Sequence, residues 1–171
     1  MGRGHGARRA QDRGARFAVS YWLFKSEPEV FGIDDLSASR GARTSWDGVR
    51  NYQARNYLRA MRKGERAFFY HSNCPEPGIV GIVRVVREAY PDATAFDPRD
   101  AHFDPKSDRA RPAWFMVDVE LERKLERTIA LAELKTHAAR ALDGLVLLRR
   151  GNRLSVLPVS DEHWKLIVAL E

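Results

Sequence analysis

Trp46, Asp47, Gly48, Val49, Arg50 and Asn51 place a large flat ring, a permissive glycine, a guanidinium and a carboxamide within six consecutive positions. A planar ring beside fixed hydrogen-bonding groups can stack on a planar ligand and read its edge. The run opens with Thr44 and Ser45 and continues through Tyr52, Gln53, Ala54, Arg55 and Asn56 into a helical pattern. No nucleophile with its base, no acid/base pair and no metal cluster accompanies it. The segment is suited to holding a ligand rather than converting one.

Each candidate has a structural and a functional reading. Trp46 could be ordinary core, because tryptophan is usually well buried. Its place between polar neighbours, outside any periodic stripe, makes it the expected wall of a pocket. Gly48 supplies backbone freedom that could bring the Val49 and Arg50 amides near a ligand. Asn51 can read a base edge in a bidentate way or cap a helix. Lys25 and Ser26 close the first apolar run, where Ser26 could act at a base edge or as an N-cap and Lys25 could be a surface charge. Tyr70, His71 and Ser72 end another run and could line a rim or satisfy a strand end. Trp114 opens an alternating stretch, on the face opposite Phe115 and Val117, and fits pocket and core equally. Arg55, Arg59 and Arg62 share one helical face beside the pocket segment, so they are either solvated or phosphate-contacting, as are Lys106, Arg109 and Arg111. His71 and Cys74 are too few for a structural zinc set. Asp97, Asp100 and Asp104 share one stretch and could hold a divalent ion, but a solvated loop is the expected reading. No metal and no cofactor is implied.

The elements that must position these residues are readable in outline. Ser20 to Lys25 reads as a strand stopped by Pro28. Glu29 to Leu36 reads as a short helix and Gly41 to Gly48 mostly as loop. Asn51 can cap a helix to about Arg62, with Tyr52, Tyr57, Leu58 and Met61 as its inner stripe. Arg66 to His71 and Ile79 to Arg87 form a hairpin pair with a long connection. Tyr90 to Pro112 is irregular, broken by Pro91, Pro98, Pro105 and Pro112. Trp114 to Leu121 alternates as a strand, and Ile129 to His137 reads as a helix. Leu154 to Val156 is a short strand, and Ser160 caps a final helix, Asp161 to Leu170. Short strands broken by helices point to an α+β domain, a small barrel decorated by helices.

The chain has 171 residues, 44% of them hydrophobic, enough for one domain with a core. Its net charge of +6 is unevenly spread. Residues 1–18 carry five arginines against Asp12, so they are expected to be a separate basic, disordered tail; a body of net +2 remains over 19–171. Bulk charge therefore does not argue for strong phosphate binding. No run of about 18 apolar residues suggests a membrane span, and the arginine-rich start is not a secretory signal. The single cysteine, Cys74, fits a reducing, cytoplasmic setting. A monomer, with a nucleoid association compatible with the setting, is expected.

Several short pieces fall in an order that resembles the EVE domain family. They are Tyr21 to Pro28, the Trp46 run, Phe68 to Ser72, Gly78 to Gly81, Phe103 to Ser107, Trp114 to Val119 and Arg153 to Val159. The resemblance spans about Ser20 to Glu171. It implies a PUA-like pseudo-barrel, shared with PUA, YTH, ASCH and SRA-type domains that bind RNA or DNA, several by capturing one modified base. The same resemblance implies that Trp46 and Trp114 occupy cage positions of the YTH relatives, and that Leu154 and Ser155 form another wall. The expected function is a non-catalytic module that captures a modified nucleobase in DNA. The alternatives are an RNA- or tRNA-binding domain, a metal-dependent nuclease and a protein–protein adaptor.

Overall fold

The computed structural model describes residues 20–171, and the basic segment 1–18 lies outside the described residues. The chain order is β1 (Tyr21–Ser26), α1 (Pro28–Phe31), α2 (Ile33–Ala38), β2 (Arg43–Trp46), α3 (Tyr52–Ala60), β3 (Arg66–His71), β4 (Gly78–Pro91), β5 (Phe115–Ala130), α4 (Leu131–Thr136), β6 (Val156–Val159) and α5 (Asp161–Ala169). Among the described residues the strands form one sheet in the order β2-β5-β4-β3-β1-β6. β1 and β3 run parallel, and all other neighbours are antiparallel.

The sheet is curled, and a side-chain contact shows why it must be. Neighbouring strands lie about 4.8 Å apart, so β2 and β1, four steps apart, would be separated by about 19 Å in a flat sheet. Instead the Trp46 ring of β2 lies 4.7 Å from the Phe24 ring of β1 and 5.4 Å, edge-on, from Phe69 of β3. Register shifts in β4 and β5 supply the bending. The pleat then divides the apolar residues between two cores. Trp22, Phe24, Trp46, Phe69, Val83, Val117 and Val156, drawn from all six strands, fill the concave interior with α2 and α3. Leu23, Phe68, Tyr70, Ile82, Ile129 and Leu157 face outward, where α4 and α5 cover them through Leu134, Trp164 and Ile167. This is the α+β pseudo-barrel with helices anticipated above.

Several local expectations are corrected. Arg43–Trp46 is a strand rather than loop, because it pairs with β5 from Val117 to Glu120. β5 runs on to Ala130, so Ile129 and Ala130 belong to it and not to a helix; they pair with Ile79 and Gly78. Trp114 precedes the strand it was expected to open. β6 lies at Val156–Val159, not Leu154–Val156, and tolerates Pro158 because it is a sheet edge. Tyr52 is 61% exposed rather than part of the inner stripe of α3.

One buried charge locks the base of the interior. Glu65 accepts from the Trp22 indole N–H at 2.8 Å and from the Arg62 backbone amide at 3.0 Å. Glu65→Ala strands both donors, and we expect a loss of about 1–3 kcal/mol. The urea midpoint should fall with unchanged slope, and Glu65→Gln, which keeps an acceptor, should lose less. An alanine variant as stable as the parent would refute this role.

Candidate functional site

A cavity of about 460 Å³ opens at one end of the curled sheet. Ser26 and Glu27 at the end of β1, Val30 and Phe31 of α1, Thr44, Ser45 and Trp46 of β2, the following Asp47-Gly48-Val49 segment, and His102 line it, together with Lys25 and Ser155. The volume lies within the range of small-ligand sites, roughly 300–1,000 Å³. Trp46 is only 9% exposed and is held by Phe24 and Phe69, yet it forms part of the wall. It is core on one side and cavity on the other.

The loop after β2 is shaped by a buried carboxylate. Asp92 has no exposure. It accepts from the Gly48 amide at 2.9 Å, Arg50 Nη1 at 2.9 Å, the Thr94 amide at 2.9 Å and Thr94 Oγ1 at 2.6 Å. Burial acts to raise its pKa, but the bonds from Thr94, Arg50 and Gly48 outweigh that and hold it below the ordinary carboxylate value. Gly48 has φ +74°, and a Cβ there would sit 2.6 Å from Nε2 of His102. Only glycine allows both the left-handed turn and the approach of the imidazole. Arg50 then clips the far loop, donating through Nη2 to Thr94 Oγ1 at 3.0 Å and to the His102 carbonyl at 2.8 Å. Asp47, at the rim, has its pKa raised by burial and by the nearby Asp92 and Asp100 carboxylates.

Of the residues proposed from sequence, Lys25, Ser26, Trp46, Gly48, Val49 and Ser155 line the cavity and the others do not. The Ser26 hydroxyl donates to the Phe31 carbonyl at 2.6 Å, so it can still accept. The Lys25 ammonium lies 6.0 Å from the Tyr70 ring, on the side away from Phe24, and burial lowers its pKa. Tyr70 faces the outer core, where burial pushes its hydroxyl up to about 12. His71 accepts from the Ile33 amide at 3.1 Å; burial lowers its pKa, which favours the neutral acceptor form. Ser72 and Leu154 are half-buried outside the lining. Arg50 spends its guanidinium on Asp92, Thr94 and His102. Asn51 caps α3 through the Ala54 amide at 2.9 Å. The pairing of Trp46 with Trp114 across one slot is not formed. Trp114 stacks on Tyr52 at 4.8 Å and donates its indole N–H to Asp104 at 2.7 Å.

The cations proposed for phosphates are engaged in part. Arg55 lies 4.9 Å from the Tyr52 ring and donates to the Ala113 carbonyl at 2.9 Å. Arg59 lies over Phe115 and Arg109 over Phe96, while Lys106 is exposed. Sequence reasoning missed Glu27, Val30, Phe31 and His102 as lining residues. The Asp-rich stretch explains itself locally. Asp92, Asp97, Asp100, Asp104 and Asp108 each accept from the backbone amide two residues on, at 2.8–3.0 Å. These carboxylates build successive turns. Among the described residues no three His, Cys, Asp or Glu side chains converge to hold a metal ion. Exposed large apolar residues are limited there to Val30, Tyr52 and Phe103. No helix among them is long and apolar enough to cross a membrane.

A curled mixed sheet decorated by helices, with a cavity beside its inner tryptophan, defines a PUA-like domain. The chain belongs to the EVE domain family, whose profile matches residues 20–170. It is 50% identical to thymocyte nuclear protein 1 of Homo sapiens over 167 residues, 89% of this chain and 74% of that protein. It is 41% identical to an uncharacterized protein of Schizosaccharomyces pombe over 159 residues, 86% of this chain and 66% of the relative. The human THYN1 protein, solved in complex with DNA containing 5-methylcytosine, superimposes with a TM-score of 0.85 at 49% identity, covering 88% of this chain and 96% of that one. A Pseudomonas putida protein superimposes with a TM-score of 0.83 at 49% identity, covering 88% and 98%.

Two outcomes follow from the loop. Gly48→Ala should destabilise by about 1–3 kcal/mol, from the left-handed backbone and the His102 contact, read as a drop in melting temperature. Asp92→Asn should cost about 1.5–3 kcal/mol at neutral pH. Because the folded pKa of Asp92 is depressed, its contribution is complete above the unfolded value of about 3.9 and is lost as pH falls through the folded value. The gap between parent and variant in urea titrations should therefore close below about pH 4. A gap independent of pH would show that Asp92 acts as a neutral spacer.

Proposed function

We propose that this chain is a non-catalytic module that takes one modified base, extruded from DNA, into the Trp46 cavity. The observation that carries this reading is the double role of Trp46, part of the interior and part of the wall of an open cavity of about 460 Å³. The likeness to human THYN1, a protein solved with 5-methylcytosine DNA, supports the choice of DNA.

The chemistry of the lining suits a flat heterocycle. An extruded base loses its stacking and must have its polar edge satisfied elsewhere. Trp46 and Phe31 offer aromatic surface, and Val30 and Val49 offer apolar contact for an added methyl. Ser26 and Thr44 hydroxyls, the Asp47 carboxyl and the His102 imidazole can meet donors and acceptors on the edge. The raised pKa of Asp47 lets its carboxyl keep a proton to a higher pH than usual. The reading needs a compartment holding DNA, met by the nucleoid-bearing cytoplasm; "nuclear" in the names of animal relatives is compatible with the same requirement. We further propose that it acts as a monomer and that Arg55, Arg59, Lys106 and Arg109 lie along the flanking backbone.

The test is a set of oligonucleotides, DNA and RNA, that differ in one base modification. At least one modified DNA should bind more tightly than its plain counterpart. Trp46→Ala should weaken that complex by about 1–3 kcal/mol, roughly 5- to 150-fold, and abolish the preference. Circular dichroism and melting temperature must show the variant folded. Equal binding of every modified and plain pair, at all salt concentrations, would refute the proposal. Preference confined to RNA would move it to that polymer.

A further inference from the structure

The basic side chains of the described residues differ in what they already touch. Arg66, Arg84, Lys124 and Lys165 lie 2.6–3.4 Å from carboxylate oxygens. Arg55, Arg59 and Arg109 lie against aromatic rings. Arg149, Arg150 and Arg153 are unlike both groups. All three are exposed, and their guanidinium groups meet no carboxylate, carbonyl or ring among the described residues.

These arginines sit on a constrained turn rather than a loose strand. The Asn152 amide donates to the Arg149 carbonyl at 3.1 Å, and Gly151 takes φ +74° to close the turn. Asn152 Oδ1 accepts from the Leu154 amide at 3.0 Å, while Leu154 packs against both cores. The next residue, Ser155, lines the cavity, and its carbonyl accepts from the Lys25 amide at 2.8 Å. Arg153 is two residues from Ser155, so their Cα atoms are at most about 7 Å apart. Asn152 Nδ2 is buried without a hydrogen-bond partner. A small shift of the turn would let an incoming acceptor satisfy it.

We propose that the Arg149–Arg153 turn grips the phosphodiester backbone beside the base held in the cavity. This rests on the base-capture reading and adds the part of the ligand that enters the site's rim. Guanidinium groups bind phosphate oxygens in a bidentate way, and these three need break no existing contact to do so. Phosphate contacts position a strand without reading its sequence, so the turn contributes affinity and register while the cavity contributes choice.

The experiment compares the parent with Arg149→Gln/Arg150→Gln/Arg153→Gln and with a charge-matched control, Arg84→Gln/Lys124→Gln/Lys165→Gln. Affinity for modified and plain DNA duplexes is measured over a salt series, with inorganic phosphate as a competitor at constant ionic strength. The turn variant should lose affinity about tenfold or more for both DNAs equally, and the log–log salt slope should shrink by about 0.9 per lost contact. The control should keep the parent slope. Phosphate should compete weakly, as expected for a site that needs a strand. A turn variant with the parent slope, an equal loss in the control, or full competition by free phosphate would overturn the proposal. If the parent shows no preference for modified DNA, the capture reading fails instead, and the slope comparison still decides the role of the turn.

Discussion

A carboxylate taken out of water must have its oxygens bonded, and Asp92 meets that demand by tying the distant Gly48–Arg50 loop to its own turn at Thr94. The Gly48 amide, the Arg50 guanidinium and the Thr94 amide and hydroxyl all donate to it. Satisfying one buried charge thereby sets the path of the chain after Trp46 and anchors the start of the long Asp-rich loop. Arg50, held by Asp92, in turn binds the His102 carbonyl, and the His102 ring rests where a side chain on Gly48 would have stood. The rim of the cavity is a consequence of this chain of obligations. Losing any donor leaves a charged oxygen short of partners in a site that water does not reach, which is why the loop has little freedom.

The same economy governs Trp46. An aromatic wall on a mobile loop would have to be ordered each time a ligand entered, and that ordering would weaken binding. Here the ring is fixed by Phe24 and Phe69 across the curl of the sheet. The curl brings the edge strand β2 over β1, and without it the tryptophan would have neither support nor a cavity beside it. Fold and site are therefore one packing problem. A change that flattens the register shifts in β4 and β5 would affect the wall without touching it.

What was legible in the sequence follows the range of the interactions involved. β3 was readable because its apolar run is compact, and the caps at Asn51 and Ser160 because capping is decided within three residues. β2 was not, since four polar-leaning residues become a strand only by pairing with residues more than seventy positions later. The charged second half of β5 has few residues of high strand preference, and its pairing with β4 overrides that preference. In the site, Trp46 and Gly48 announced themselves by type and neighbours. Trp114 misled because Asp104 and Tyr52 claim its polar and flat surfaces, contacts that spacing does not reveal. Arg50 was read through its amide, while its guanidinium is committed to an aspartate forty-two positions away. His102 carried no signal in its own surroundings; its place depends on the absence of a side chain at Gly48.

The modest charge of the body has a consequence for selectivity. A nucleic-acid binder with a strong uniform field holds any strand, and the preference for one base is then a small difference on a large common affinity. In residues 19–171 the excess is only +2, and several arginines are tied to carboxylates. With so small an excess the summed field is weak, and a strand is held by individual contacts rather than by a uniformly basic surface. Filling the cavity then makes up a larger share of the total binding energy. A module that must pass over ordinary bases and stop at a rare one is better served by this division than by a basic surface.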